Sequence, residues 1–274
     1  MDPKPIAALS PLEMPSIHFA YDFLIFGIQC VLNIFFKLGA RGAHLVPKRG
    51  PVLFVAAPHS NQFVDPCMLQ VTSGRRIGFL AAAKSMRLFW IGMMARFLES
   101  IPVERPQDLA KKGPGRIYWD KTSKKIMGAD CKLPWKRAQY TAEFTVTVQP
   151  GDLISCSGHE PLVVIEILSD TECQVKTAPL SNFPVNASTA LFYKITPKID
   201  QSAMFEEVTK RFLQGRCVGI FPEGGSHDRP ELLPLKAGAA IMALSSLHQY
   251  PDLGLQIVPV GLNYFHAEKV SLSI

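Results

Sequence analysis

His59 and Asp65 stand six positions apart in the stretch PHSNQFVDP, directly after the apolar run Phe54–Ala57. A neutral imidazole can take the proton from a hydroxyl as that oxygen attacks, and a carboxylate on the other ring nitrogen fixes the tautomer and stabilises the imidazolium. Six positions is about 600° on a regular helix, so the two residues do not share a helical face. His59 therefore belongs on a strand-to-helix loop, outside the helix that carries Asp65. Taken alone, the pair also fits a polar loop at a strand end, with Asp65 capping the next helix.

A second group of residues suits an anion. In FPEGGSHDRPELLPLKAG, Gly224 and Gly225 follow Glu223, and Ser226 and Lys236 lie downstream. Glycines let backbone N–H groups approach an anion that a Cβ would block. Arg105, in IPVERP, carries a planar fork that matches phosphate oxygens, and Lys84 and Lys236 are further cations. Arg105 also fits an ordinary surface ion pair, and Lys236 the first turn of a helix.

These residues need strands and helices to hold them. Val52–Ala57 is short, β-rich and apolar on both faces, as a central parallel strand is. A helix is expected over 63–72 with Pro66 in its first turn, a strand over 76–83, one helix over 85–98 and a strand over 100–105. Residues 201–214 read as an amphipathic helix with Met204, Val208 and Phe212 on one face. A strand then runs into the Glu223 turn, followed by a helix from about Lys236 to Leu247 and a strand in LQIVPVGLNYF. Strands alternating with helices indicate an α/β core.

Residues 107–200 differ in character. AEFTVTVQPGDLIS, EPLVVIEILSD and ECQVKTAPL alternate polar and apolar residues between Gly, Asp and Pro turns, and read as three antiparallel strands. The expected organisation is a mobile N-terminus and a membrane-associated helix over 1–40, an α/β core over 41–106 and 201–274, and a β-rich insertion over 107–200. The helix is Phe23–Phe36, apolar for 14 residues and flanked by Asp22 and Lys37. A full span needs about 20 such residues, so an embedded or interfacial helix is preferred to a core helix, a short span or a signal-peptide core.

Composition narrows the partners. A net charge of +6 with 47% hydrophobic residues and mean hydropathy +0.13 suits anionic small substrates or an anionic membrane surface. Nucleic acid is disfavoured by the lack of any block of five like charges. The six cysteines, at 30, 67, 131, 156, 173 and 217, form no C-x-x-C pair and no disulfide framework, which favours a reducing compartment. His227 has no second His at helical spacing, so no metal site is expected.

The order PHSNQFVDP, IPVERP, FPEGGSHDRPELLPLKAG and IVPVGLNY, each at a strand end, resembles the glycerolipid acyltransferases, above all the fungal-type glycerol-3-phosphate/dihydroxyacetone-phosphate acyltransferases. The general family pattern places four residues between His and Asp. Five intervene here, as in the fungal-type members. The resemblance implies transfer of an acyl group from acyl-CoA to the sn-1 hydroxyl of glycerol-3-phosphate at an endoplasmic reticulum membrane, with membrane lipids as partners and no bound cofactor. It implies that Arg105, Glu223 and Gly224 bind the phosphate substrate, with Glu223 orienting a substrate hydroxyl or Arg105. A thioester already has a good leaving group, so no covalent Ser or Cys is needed. The resemblance also implies a C-terminally truncated member. Acylation of lysophosphatidate, or a non-catalytic membrane protein keeping the fold, are the alternatives.

Overall fold

The computed structural model describes residues 15–129, 131–132, 139–140, 142–180, 182–229 and 231–264. Of residues 1–18, expected to be mobile, 1–14 lie outside them, as do the last ten residues, while 15–18 belong to a helix. The chain forms two compact units: one from the stretch up to Val103 together with the stretch from Ser202, the other from Glu104–Gln201.

In the first unit the strands are β1 (Val52–Ala57), β2 (Ile77–Ala82), β3 (Ile101–Val103), β4 (Cys217–Ile220) and β5 (Gln256–Gly261). Their spatial order is β5-β1-β4-β2-β3, and every pairing is parallel. The helices are α1 (Pro15–Phe35), α2 (Val64–Ser73), α3 (Ala83–Met86), α4 (Phe89–Phe97), α5 (Ser202–Leu213) and α6 (Gly238–Gln249). Period-2 alternation in β1 divides its side chains between two cores. Val52, Phe54 and Ala56 pack with Leu69 of α2 on one face. Leu53 packs with Val208, Phe212 and Met242 of α5 and α6 on the other. A strand buried on both faces reads as a continuous apolar run, which is what residues 52–57 are.

From β1 the chain crosses over β4 to reach β2, and from β4 it crosses back over β1 to reach β5. Right-handed crossovers that leave adjacent strands in opposite directions require helices on opposite faces, which accounts for the two cores. The same reversal opens a crevice beyond the carboxyl ends of β1 and β4.

The single helix expected over 85–98 is two, α3 and α4, interrupted at Arg87–Leu88. The Arg87 and Leu88 amides bond back to Lys84 and Ser85, and Gly92 packs against the Met86 carbonyl too closely for any Cβ. Helix α1 buries Tyr21 and Leu32 and leaves Phe19, Phe23 and Phe26 exposed. Arg76 lies 4.4 Å over the Tyr21 ring and reaches Asp22 at 3.1 Å. Helix α4 likewise exposes Phe89 and Trp90. No helix among the described residues is long and apolar enough to cross a membrane, so a span at Phe23–Phe36 is not supported.

The second unit is an antiparallel sheet whose strands follow the order Lys111–Lys112, Tyr193–Thr196, Leu153–Cys156, Leu162–Ser169, Glu172–Val175, Lys125–Ala129, Arg116–Asp120. Ile117 on the last strand exchanges both backbone hydrogen bonds with Leu191, just before Tyr193, so the sheet closes into a small barrel. Gln201, at the end of this unit, donates to the carbonyl of Glu104 at its start. The strand expected over 142–155 begins only at Leu153, because Phe144–Thr147 is a helical turn. The alternation in FTVTV imitates a strand, but Phe144 and Val148, four apart, both enter the barrel core while Val146 points to solvent. The strands 116–120, 125–129 and 193–196 were not anticipated.

Phe144 is fully buried in the cluster that holds Trp119. Phe144→Ala should lower the stability of this unit by about 3–5 kcal/mol, measured by urea unfolding followed through the fluorescence of Trp119.

Candidate active site

His59 follows β1 by two residues, on the loop into α2, and it is nearly buried. Its Nδ1 lies 2.8 Å from Oδ2 of Asp65, which is completely buried in the first turn of α2. The loop builds this contact with Asn61, whose side-chain oxygen accepts the amides of Phe63 and Val64 and so caps the start of α2. The Asn61 amide itself donates to Asp65 Oδ2 at 2.9 Å. Asp65 therefore does not cap its own helix: it takes a proton donor from the imidazole and a second from the loop. On the other side, the His59 ring stacks on Phe221 at 3.9 Å between centroids, and Phe221 stacks in turn on Phe79 of β2. No described residue pairs with His59 Nε2.

The Glu223 turn follows β4 and meets the His59 loop at the crevice between the two strands. Oε2 of Glu223 accepts the backbone N–H of His59 at 2.6 Å, and Oε1 accepts that of Leu233 at 3.0 Å. The Nε2 of His227 stands 3.1 Å from Oε1, within ion-pair range but poorly aligned for a hydrogen bond. The Nδ1 of His227 accepts the Arg229 amide, which places the ring proton on Nε2, facing the carboxylate. His227 N–H donates to the carbonyl of His59, closing a second link between the loops. Each Glu223 oxygen thus accepts one backbone N–H, and through them the carboxylate joins the His59 loop to the segment at Leu233.

Gly224 adopts φ +77°, a left-handed turn that disfavours any Cβ, and the Lys236 side chain fills the space where that Cβ would stand. Its N–H donates to the Phe221 carbonyl and is not directed at a ligand. Lys236 is exposed, and its own amide bonds to Pro222, which fixes the stem of the side chain over the turn. Gly225 faces open space and Ser226 is exposed beside it. Lys84, in the first turn of α3, follows β2 and so lies at the same carboxyl edge of the sheet. Arg105 is the second residue of the other unit, half-buried, with its carbonyl accepting the Asp108 amide. The first unit thus gathers His59, Asp65, Glu223, Gly224, Gly225, Ser226, Lys84 and Lys236 at one edge of one sheet.

Sequence reasoning passed over three participants. Asn61 sits inside the quoted motif, and its capping geometry is the signal that was available. Phe221 and Tyr264 lie within the FPEGG and IVPVGLNY stretches, but nothing local tells which distant side chain each meets. Tyr264, which follows β5, donates its hydroxyl to Asp65 Oδ1. Its phenol is held well above the usual tyrosine range, first by burial and then by the bond to Asp65 and its charge.

Burial is the largest influence on Glu223 and raises its pKa, but the His227 ring and the His59 and Leu233 amides together outweigh it, and the net shift is downward. A lowered folded-state value means a stabilising contribution that is complete above the ordinary carboxylate value of 4.5 and is lost as the pH falls through the lowered one. Glu223→Gln should therefore destabilise the protein near neutral pH and make its loss of stability on acidification shallower, as read from melting temperatures across a pH series.

The Acyltransferase family model matches residues 173–263, which include Glu223 and Lys236 and leave out His59 and Asp65. An uncharacterized acyltransferase of Schizosaccharomyces pombe is 42% identical over 267 residues, 92% of this chain and 37% of the relative. Glycerol-3-phosphate O-acyltransferase 1 of Saccharomyces cerevisiae is 39% identical over 256 residues, covering 91% of this chain and 33% of the relative. Glycerol-3-phosphate O-acyltransferase 2 of the same yeast is 33% identical over 267 residues, 91% and 36% of the two chains. The chain thus spans about a third of the length of the curated relatives it matches. No solved structure gives a significant match. β5 and the Glu223 turn lie inside the match to the Acyltransferase family model, and about nine tenths of this chain is similar to about a third of each of these yeast acyltransferases.

Proposed function

We propose that this protein transfers a fatty acyl group from acyl-CoA to the sn-1 hydroxyl of glycerol-3-phosphate, with dihydroxyacetone phosphate as a second acceptor. The observation that carries the reading is the 2.8 Å contact of His59 Nδ1 with buried Asp65, which leaves Nε2 as the ring nitrogen with no partner among the described residues. The names of the two Saccharomyces cerevisiae relatives support the acceptor.

In this mechanism His59 Nε2 takes the proton from the acceptor hydroxyl while that oxygen bonds to the thioester carbonyl carbon. Asp65 keeps the other ring proton on Nδ1 and stabilises the imidazolium that forms. The carbon–sulfur bond breaks as the tetrahedral adduct collapses, and the imidazolium returns its proton to the departing CoA thiolate. Proton removal of this kind contributes roughly 10²–10⁴ in rate. The acceptor's phosphate is read by cations: Lys236 over the glycine turn, with Lys84 at the same sheet edge, and Arg105 on the strength of its motif. The exposed aromatics Phe19, Phe23 and Phe26 of α1, and Phe89 and Trp90 of α4, support an interfacial seat on the endoplasmic reticulum membrane.

His59→Ala should abolish acyl transfer, and Asp65→Asn should lower kcat by orders of magnitude, with melting temperatures showing both variants folded. Near-normal activity in folded His59→Ala would overturn the general-base role. In a competition of both acceptors at equal concentration, lysophosphatidate made from glycerol-3-phosphate is the expected main product. Predominant phosphatidate made from lysophosphatidate would reassign the acceptor.

Separately, Arg105→Ala and Lys236→Ala should each raise the KM for glycerol-3-phosphate by roughly ten- to hundredfold, the worth of one charge-assisted contact, with the KM for acyl-CoA little changed. Steady-state kinetics with each substrate varied in turn would measure this, and an unaltered acceptor KM would move the phosphate site elsewhere.

A further inference from the structure

The polar end of IVPVGLNY has no part in the mechanism above, yet the fold brings it to the reacting pair. The Leu262 amide donates to the Ala57 carbonyl at 3.1 Å, which clips the segment after β5 to the end of β1 beside the His59 loop. Two residues on, the Tyr264 hydroxyl reaches Asp65 Oδ1. The carboxylate is thereby divided: Oδ2 serves the imidazole and the Asn61 amide, and Tyr264 is the one donor to Oδ1 among the described residues. Asp65 is fully buried, so water does not offer a ready substitute.

The rest of the Tyr264 ring does a job that phenylalanine would do as well. It meets Phe36 edge-on at 6.2 Å and helps line a groove of about 940 Å³ walled by Leu38, Met68, Leu69 and Leu262. A hydroxyl aimed out of an apolar wall at a buried carboxylate is not explained by packing. Leaving such a group without its partner would cost more than the phenol contributes.

We propose that Tyr264 is a positioning residue for acyl transfer, holding Asp65 so that its other oxygen keeps the His59 ring in the reactive tautomer and orientation. The inference rests on the general-base role of His59. Tyr264 stays protonated through the working range, since burial and Asp65 both raise its pKa, so it acts as a donor throughout. The titratable groups facing this arrangement are Asp65 and Cys67 around the phenol, and Glu223 and His227 on the far side of His59.

Tyr264→Phe removes the hydroxyl alone. In the full-length protein it should lower kcat for acyl transfer roughly ten- to hundredfold at neutral pH, the worth of one hydrogen bond to a charged group, and leave both KM values little changed. The acidic limb of the kcat/KM profile should also move to higher pH, because a carboxylate short of one donor holds the imidazolium proton more firmly. A change that only loosened the fold would lower the rate at every pH and leave that limb where it was. If the phenol acts through Asp65, Tyr264→Phe should have no further effect on kcat in an Asp65→Asn background, a comparison that holds even where the single variant melts early.

His59→Ala is measured alongside. If it is inactive while Tyr264→Phe keeps wild-type kcat and an unmoved acidic limb, or if the two substitutions lower kcat independently, the positioning role is overturned and the general base stands. Activity in His59→Ala would overturn both.

Discussion

The parallel pairing of β1 with β4 governs how this domain is built. Val52 lies opposite Cys217 and Val55 opposite Ile220, so the two strands leave the sheet at the same level and in the same direction. Their continuations then run opposite ways across the sheet. No connection covers the gap between their carboxyl ends, and polar loops can occupy it without burying unpaired backbone. The His59 loop and the Glu223 turn fill that gap from its two sides. What could have been two independently moving loops is bound by a carboxylate on one and an amide on the other.

Such an arrangement carries two buried acids next to an imidazole, which costs desolvation at each. The protein offsets this locally. Asp65 receives three donors, from the imidazole, a loop amide and a phenol. Glu223 receives two amides and faces the His227 ring. The ring of His59 has one charged edge and two apolar neighbours stacked on its face, Phe221 and then Phe79. This leaves the imidazole little freedom except at Nε2, which no described residue pairs, a form of preorganisation set by folding.

How much of this was legible in the chain depended on how far each signal reached. The apolar run Val52–Ala57 and the six-residue spacing from His59 to Asp65 are local, and they were enough to read a strand, a loop and a helix start. The α5 face of Met204, Val208 and Phe212 was legible for the same reason. FTVTV misled because a helical turn and a strand both suit it until Phe144 and Val148 find the same core. Arg116–Asp120 alternates as cleanly as the strands that were read, with Ile117 and Trp119 buried. The Tyr264–Asp65 bond joins residues 199 apart and the His59–Glu223 bond residues 164 apart, separations at which no periodicity speaks. Only the sheet order, which a single sequence does not disclose, brings them together.

The closure of the second unit has a consequence for the history of the chain. Its sheet has no long open edge along the Ile117–Leu191 seam, and its entry and exit, Glu104 and Gln201, touch each other. To the host sheet, such a module is hardly different from a short turn between β3 and α5, since the ends it presents are already adjacent and the loop-closure entropy is met within the barrel. A gene encoding the smaller α/β protein could thus gain, lose or exchange this piece in one event, with neither partner's core having to be rebuilt.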